Sequence, residues 1–328
     1  MTREDFVPVL VDFMGRYDRY LVAGHMNPDG DCIGAATAMA LALQSMGKEA
    51  FVYFDGPTDG YSEMADLYPT LDLEETCALM DMKPCAFVLL DAADDKRLGK
   101  GKELPAKAVD FICIDHHVQD SIYARMTYAE EHSCATCEIL YHLFRIAGIP
   151  INRRMANALF MGIAFDTGGF RHQNTTSSTY RIAGELIDMG ADHKKILNLM
   201  FHTHTLKEMK VLGEAYRKAK LYEDGILAVE MTRADFLKSG AGPDEVSGII
   251  NRLSETSEAL VTLYLRESED GKIIISLRSK GKTDVAKVAR CFGGGGHVLA
   301  AGCSLEGPIL YAKEELLKAI RAEMQAEG

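Results

Sequence analysis

The sequence has no apolar run long enough to cross a bilayer. Its longest uncharged apolar stretch, Cys32 to Leu43, stops at Gln44, short of the roughly 20 residues a spanning helix needs, so no membrane span and no membrane partner are expected. No secretory leader is expected either. Glu4, Asp5, Asp12 and Asp18 interrupt the N-terminal stretch, where a leader would carry basic residues followed by an apolar segment, and a cytoplasmic location is expected. There is no excess of positive charge: 36 Lys and Arg stand against 48 Asp and Glu, a net charge of −12. Neutralised phosphates supply counterion release, which dominates the grip on long duplexes. Extended duplex DNA is therefore not expected as the main ligand, whereas small phosphorylated ligands can be held by bound cations and a local basic strip. The eight cysteines lie scattered in apolar runs such as Phe111-Ile112-Cys113-Ile114, where reduced thiols act as small hydrophobes, and disulfides are not expected. Cys134-x-x-Cys137 has no second CxxC to complete a zinc site and reads as a buried helical pair.

What is present describes a globular protein. With 328 residues, 47% of them hydrophobic and 26% charged, the chain can bury a sizeable core, and at roughly 100 to 200 residues per domain it divides in two. Tyr20 to Gly24, Ala50 to Phe54, Ala86 to Leu90 and Val109 to Ile114 are short, nearly continuous apolar runs, as in parallel strands buried on both faces. Between the first two lies Cys32 to Met46, rich in Ala, Leu and Met and closed by Gly47, a helix with its stop signal. Further helices are expected at Cys134 to Ala147, Arg153 to Ala164 and Ser178 to Met189. The expected fold class is α/β: a doubly wound, mainly parallel sheet over residues 1–190, a helical connector over 191–219 containing His193, His202 and His204, and a smaller α+β domain over 220–328, with a cleft between the two domains. In the second domain strands are expected at Ile226 to Met231, Ala259 to Arg266 and Lys272 to Arg278, with a hairpin turn at Ser268 to Gly271. Helices are expected near Pro243 to Glu255, Thr283 to Cys291 and Tyr311 to Gln325. His202-x-His204 has ligand-like spacing but no acid cluster beside it, and a surface role is expected.

The placement of acids and histidines carries the chemistry. His25-Met26-Asn27-Pro28-Asp29-Gly30-Asp31 follows the first strand, Asp91 the third, and Asp115-His116-His117 the fourth. In an open α/β sheet the carboxyl ends of parallel strands share one edge, where ligands bind. Asp166 follows the apolar run Ala158 to Phe165 and is expected at that same edge. Taken singly, Asp31 is a plausible helix cap, Asp91 a turn residue and Asp-His-His a surface loop; four segments delivering these residue types together point to a site. So many carboxylates would repel one another without cations between them. Mixed carboxylate and imidazole donors suit manganese, with zinc, iron or cobalt open, and no thiolate is expected to compete. Two metals about 3.5 to 4 Å apart and sharing a carboxylate form the clamp that phosphatases and nucleases use to activate water and stabilise the leaving oxygen.

These residues resemble a known pattern. His25-x-Asn-Pro-Asp29-Gly-Asp31, Leu90-Asp91, Asp115-His116-His117 and Asp166-Thr167-Gly168 are similar, in order and spacing, to the successive motifs of the DHH phosphoesterase superfamily. Arg278-Ser279, Phe292-Gly293-Gly294-Gly295-Gly296-His297 and Ala300-Ala301-Gly302 resemble its DHH-associated substrate-binding domain. The overall size and the GGGGH segment look most like the bacterial nano-RNase/pAp phosphatases. The resemblance implies a bilobal fold, two Mn2+ ions per chain (Mg2+, Co2+ or Fe2+ being alternatives), and hydrolysis of very short single-stranded RNA and of 3′-phosphoadenosine 5′-phosphate. It implies His25, Asp29 and Asp91 on one metal, Asp31, Asp91, His116 and Asp166 on the other, and Asp91 as bridge. His117 is then left to contact the scissile phosphate, with Asp115 behind it orienting a histidine. Alternatives are a linear or cyclic dinucleotide phosphodiesterase and, outside catalysis, a nucleotide sensor; a homodimer is left open.

The C-terminal segment fits that scheme chemically. Arg278, Lys280, Lys282, Lys287 and Arg290 stand against Asp284 alone, a local +4 in an acidic chain. Gly294, Gly295 and Gly296 would let backbone N–H groups approach a phosphate, with His297 as a further donor; Arg278 would grip a phosphate bidentately and Ser279 add a hydrogen bond. The plainer reading is a flexible loop beside a solvated helix. Arg171, His172 and Asn174, after Asp166, either face the site or open the next helix.

Overall fold

The structure, a computed structural model, describes residues 1–92, 95–117, 124–201, 205–243, 245–246 and 248–326. His202 and His204 lie outside the described residues. The chain divides into two units, Met1–Thr203 and His204–Gly328.

The first unit is built on six strands, β1 (Arg19–Ala23), β2 (Glu49–Tyr53), β3 (Thr70–Leu71), β4 (Ala86–Leu90), β5 (Phe111–Asp115) and β6 (Met126–Ala129). They pair in the order β3-β2-β1-β4-β5-β6, every pair parallel. Val22 of β1 sits opposite Val52 on one side and Val88 on the other. The central strands are apolar throughout because both faces are covered: Tyr20, Val22, Val88 and Leu90 belong to one core, and Leu21, Phe87, Leu89 and Cys113 to the other. The expected α/β doubly wound architecture is what the unit adopts. The edge strands β3 and β6 are short and mostly only part-buried or exposed, and the helix Arg3–Arg16, closed at its start by a reciprocal Thr2–Asp5 capping box, lies ahead of the strand pattern; none of the three follows from the apolar runs.

The second unit carries β7 (Lys220–Leu221), β8 (Ile226–Met231), β9 (Val261–Glu267), β10 (Ile273–Ser279), β11 (Gly295–His297) and β12 (Ala300–Leu305), ordered β11-β12-β10-β9-β8-β7. β8 and β9 are parallel and the other pairs antiparallel. The β9–β10 turn falls at the expected hairpin, with Ser268 N–H donating to the Lys272 carbonyl at 2.9 Å. Leu263, Leu265, Ile275 and Leu277 pack against Val285 and Val288 and against Leu316 and Ile320 of the helix Ile309–Ala326. Part of the glycine run is an edge strand: Gly295–His297 pairs with Ala300–Gly302, while Gly293 lies in the preceding turn. The expected connector is shared between the units: the helix His193–Phe201 buries Ile196 in the core of the first, and Leu206–Lys218 buries Val211 and Ala215 in the second. Among the described residues no helix is long and apolar enough to cross a membrane.

Candidate metal centre

Sheet order positions the site. The chain runs from β1 outward through β2 and β3, then returns to β4 beside β1 and proceeds the other way through β5 and β6. The reversal between β1 and β4 opens a crevice at their carboxyl ends, the usual ligand site of such sheets. His25 to Asp31 leave β1 there and Asp91 leaves β4. The β1 loop is pinned on both sides, Met26 N–H donating to the Arg97 carbonyl at 2.5 Å and Asn27 N–H to the Asp55 carbonyl at 2.9 Å. Asn27 adopts φ +51° and Asp91 φ +57°, a left-handed conformation that costs non-glycine residues energy and tends to be held at functional sites.

Asp29, not Asp31, caps the helix Gly30–Ser45. Its Oδ1 accepts from the N–H groups of Asp31 (3.0 Å) and Cys32 (3.1 Å), leaving Oδ2 at 3.6 Å from His25 Nε2. Asp31, in the first turn and fully buried, reaches instead to another helix: its two oxygens accept from Thr136 N–H (2.6 Å) and Cys137 N–H (2.9 Å) at the start of Thr136–Ala147, whose own cap residue, Ala135, has no side-chain acceptor. Asp91 stands centrally. Its Oδ2 is 3.5 Å from His25 Nε2, and its Oδ1 is 3.5 Å from both His116 Nε2 and His117 Nδ1. Thr136 Oγ1 donates to Oδ1 at 3.2 Å.

Asp166 is delivered by a helix end, not a strand end. It terminates Arg153–Asp166 and lies 3.2 Å from His116 Nε2. It gets there because that helix packs closely on Gly30–Ser45: a Cβ on Gly34 would fall 2.4 Å from the Ala158 carbonyl oxygen, and one on Gly162 would fall 2.6 Å from Asp31 Oδ1. The two glycines let the helices approach until their acids share one space.

The imidazoles are set as metal ligands. His25 Nδ1 lies 2.9 Å from the Met26 carbonyl and His116 Nδ1 3.3 Å from the Ser133 carbonyl. A carbonyl only accepts, so each ring carries its proton on Nδ1 and presents the Nε2 lone pair, the usual arrangement of a ligating histidine. Both Nε2 atoms are buried without an aligned hydrogen-bond partner among the described residues, which is costly unless something else satisfies them. Burial opposes charge on His25 and His116, yet the neighbouring carboxylates outweigh it and raise each to about 10. Asp31 is driven far up by burial and by the charges of Asp91 and Asp166, and Asp166 is raised by burial, with Asp91 adding to it. Asp29 is also desolvated, but His25 and the two capping N–H groups hold it below the usual carboxylate range. Without cations the cluster therefore takes up protons; divalent cations in their place would satisfy both the acids and the open Nε2 atoms, so these residues fit a metal centre.

Among the described residues three donor sets cluster within 4.8 Å: His25, Cys32 and Asp91; Asp91, His116 and His117; and Asp31, His116 and Asp166. Asp91 joins the first to the second, and His116 the second to the third. Cys32 places a sulfur beside His25 and Asp91. Its thiol stays protonated, pushed up by burial and by Asp91 and Asp29, and as a thiol it is a poor ligand. Asp115 is fully buried, and its Oδ1 accepts from both the N–H (3.0 Å) and Nδ1 (2.8 Å) of His117, leaving the partly exposed His117 ring with Nε2 unengaged by Asp115. Cys134 and Cys137 are both buried.

The remaining candidates divide. His172 and Asn174 fold back locally, Asn174 Nδ2 donating to the Asp166 and Cys134 carbonyls at 3.2 Å. Arg171 donates through Nε to the Gly168 carbonyl at 2.6 Å and lays its guanidinium over the Phe201 ring, 4.8 Å from the centroid. In the second unit, Arg278 Nη1 donates to the Leu277 carbonyl at 3.0 Å, Ser279 is buried with Oγ accepting from Gly281 N–H at 3.3 Å, and His297 is exposed. The basic strip is less cationic than its sequence: Lys287 pairs with Glu323 at 2.9 Å and Arg290 with Asp284 at 3.9 Å. A Cβ on Gly294 would meet the Gly302 carbonyl oxygen at 2.2 Å and one on Gly296 the Ala300 carbonyl oxygen at 2.5 Å, whereas Gly295 has open space. Two of the three glycines thus have a packing reason of their own.

The bifunctional oligoribonuclease and PAP phosphatase NrnA of Thermus thermophilus is 28% identical over 94% of this chain and 90% of its own length, and the protein of the same name from Bacillus subtilis is 27% identical over 90% of this chain and 92% of its own. The crystal structure of an exopolyphosphatase-related protein from Bacteroides fragilis superposes with a TM-score of 0.85 at 24% identity, covering 99% of this chain and 98% of that one, and so shares the fold. Residues 19–163 match the model of the DHH family N-terminal domain and residues 224–326 that of the DHHA1 domain. The chain thus carries a DHH family N-terminal domain in its first unit and a DHHA1 domain in its second.

Proposed function

We propose that the chain is a two-metal phosphoesterase that hydrolyses short oligoribonucleotides to mononucleotides, and 3′-phosphoadenosine 5′-phosphate to AMP and phosphate. The observation that carries this reading is Asp91 set between His25 on one side and His116 on the other, each with an unpartnered Nε2. His25, Asp29 and Asp91 would hold one Mn2+ ion and Asp31, Asp91, His116 and Asp166 the other. Bound there, the pair supplies Lewis-acid polarisation of phosphoryl oxygens and a lowered pKa for water. The chain's own part is to position and to move protons. Asp115 fixes the His117 ring through Nδ1, and His117 would give a proton from Nε2 to the departing oxygen, as in other carboxylate–histidine pairs. Asp31 and Asp166 are held by the close helix pair, and Thr136 orients Asp91. On the second unit, Arg278, Ser279, His297 and the N–H groups of Gly294 to Gly296 would hold a phosphate of the substrate. Short substrates suit an acidic chain, since they demand few phosphate contacts.

The test is turnover of pAp, pApA, pGpG, a pentanucleotide and a 24-mer with Mn2+. Release of AMP from pAp and of mononucleotides from the dinucleotides and the pentamer, with the 24-mer spared and Asp91→Asn inactive, is the expected result. Tight binding of the short oligomers with no product from any of them would overturn the assignment in favour of a sensor.

A further inference from the structure

Beside the metal centre, within the first unit, lies a cavity of about 430 Å3 lined by Tyr61, Met64, Phe165, Leu199, Met200 and Phe201. Its size falls in the range of roughly 300 to 1,000 Å3 typical of small-molecule sites. All six side chains are only half-buried, so their apolar faces border open space and do not fill a core. None is used by the chemistry described above. The wall of this cavity touches the ligand loop. Phe165 precedes Asp166, and its ring is pressed against Gly30, between Asp29 and Asp31, so tightly that a Cβ there would fall 2.7 Å from the ring. Tyr61 meets Phe165 edge to face, centroids 6.1 Å apart at 64°. At the other side Phe201 is covered by the Arg171 guanidinium.

An apolar, aromatic hollow that begins one residue from a metal ligand and carries a cation at its rim has the features of a place for a planar heterocycle attached to a phosphate. Aromatic faces take a base by stacking, worth about 1 to 3 kcal/mol and largely indifferent to which base it is. We propose that this cavity is the subsite for a nucleobase of the substrate, with Tyr61 and Phe201 as its platforms and Arg171 as a positioning residue that holds Phe201. The proposal rests on the phosphoesterase reading for the identity of the ligand, and it accounts for Arg171 without a direct phosphate contact.

The test compares pApA with its tetrahydrofuran analogue, which keeps the sugar-phosphate chain and lacks both bases, in wild type, Tyr61→Ala, Tyr61→Phe and Phe201→Ala with Mn2+. Expected are a rise in KM for pApA of about tenfold in Tyr61→Ala and Phe201→Ala with kcat retained, recovery in Tyr61→Phe, and no change in KM for the base-free analogue in any variant. An equal rise for both substrates, or a wild type that does not distinguish them, overturns the proposal. A second readout does not depend on turnover: fluorescence of a dinucleotide carrying 2-aminopurine is quenched on stacking in wild type and recovers in Tyr61→Ala. Quenching without hydrolysis would sink the phosphoesterase reading and keep the subsite; hydrolysis with quenching unaffected by Tyr61→Ala would do the reverse.

Discussion

Asp115 Oδ1 receives two hydrogen bonds from His117, one from the backbone N–H at 3.0 Å and one from Nδ1 at 2.8 Å. Backbone and ring of the same residue are thereby tied to one fully buried oxygen, and the ring is left a single orientation. Asp115→Asn keeps the size and loses the negative charge of the oxygen that accepts both hydrogen bonds. We expect kcat on pApA to fall about 10- to 100-fold, with the number of Mn2+ ions bound unchanged. Mn2+ stoichiometry by atomic absorption beside steady-state rates checks this; loss of metal in parallel with rate would make Asp115 a structural support of the centre instead.

Asp91 faces both ligand groups, so its loss should be felt by both. A ligand that binds only the folded state stabilises it by about 2.7 kcal/mol at a hundredfold excess over Kd. Wild type should therefore melt several degrees higher with Mn2+ than with EDTA, and Asp91→Asn should melt at the same temperature in both. Asparagine is the right substitution because it tolerates the left-handed backbone at φ +57° better than alanine. Scanning calorimetry of the two proteins, with and without Mn2+, decides; a full Mn2+ shift in the variant would remove Asp91 from the centre.

Much of this site is readable along the chain because its residues sit where apolar strands stop. Ala86 to Leu90 is a strand to the residue, since a run buried on both faces has sharp ends, and Asp91 follows from it directly. What the sequence conceals depends on contacts between distant segments. Asp29 and Asp31 flank Gly30 equally, and only the pairing of Asp31 with Thr136 and Cys137 shows which of the two acids caps its own helix. Asp166 reads as the end of an apolar run of either period, and the helix pair that delivers it depends on Gly34 and Gly162, small residues with no apolar signal. The nearness of Cys32 to His25 and Asp91 is a matter of helix phase. β12 (Ala300–Leu305) is made largely of small residues and lacks the β-branched or aromatic signature of a strand.

Acid should weaken the second unit at an identifiable pair. Asp235 accepts from Thr232 N–H at 2.8 Å and Thr232 Oγ1 at 2.6 Å and pairs with Lys218. Burial favours the protonated form, but Lys218 and Thr232 prevail and bring the carboxyl down to about 2 from 3.8. The folded-state pKa lies below the unfolded one, so the stabilisation is complete above about pH 4 and disappears as the pH falls towards 2. Asp235→Asn should cost on the order of 1 kcal/mol at pH 6 and nothing measurable near pH 2. Urea midpoints at the two values test the sign: a deficit that grows with acid would contradict it.

The three glycines proposed to approach a phosphate can be separated by what a methyl group would strike. At Gly296 the backbone has φ +142° and a Cβ would lie 2.5 Å from the Ala300 carbonyl oxygen; at Gly295 it would meet nothing within 4 Å. Gly296→Ala must therefore open the β11–β12 edge, at a cost of about 1 to 3 kcal/mol, and any loss of activity there mixes unfolding of the edge with loss of the ligand. Gly295→Ala leaves stability where it was, and its added methyl stands on the side open to a ligand. If the segment cradles a phosphate, Gly295→Ala raises KM for pApA severalfold at an unchanged melting temperature. If KM also stays at the wild-type value, the glycines serve only the tight pairing of two strands, and the phosphate must be sought at Arg278 and Ser279.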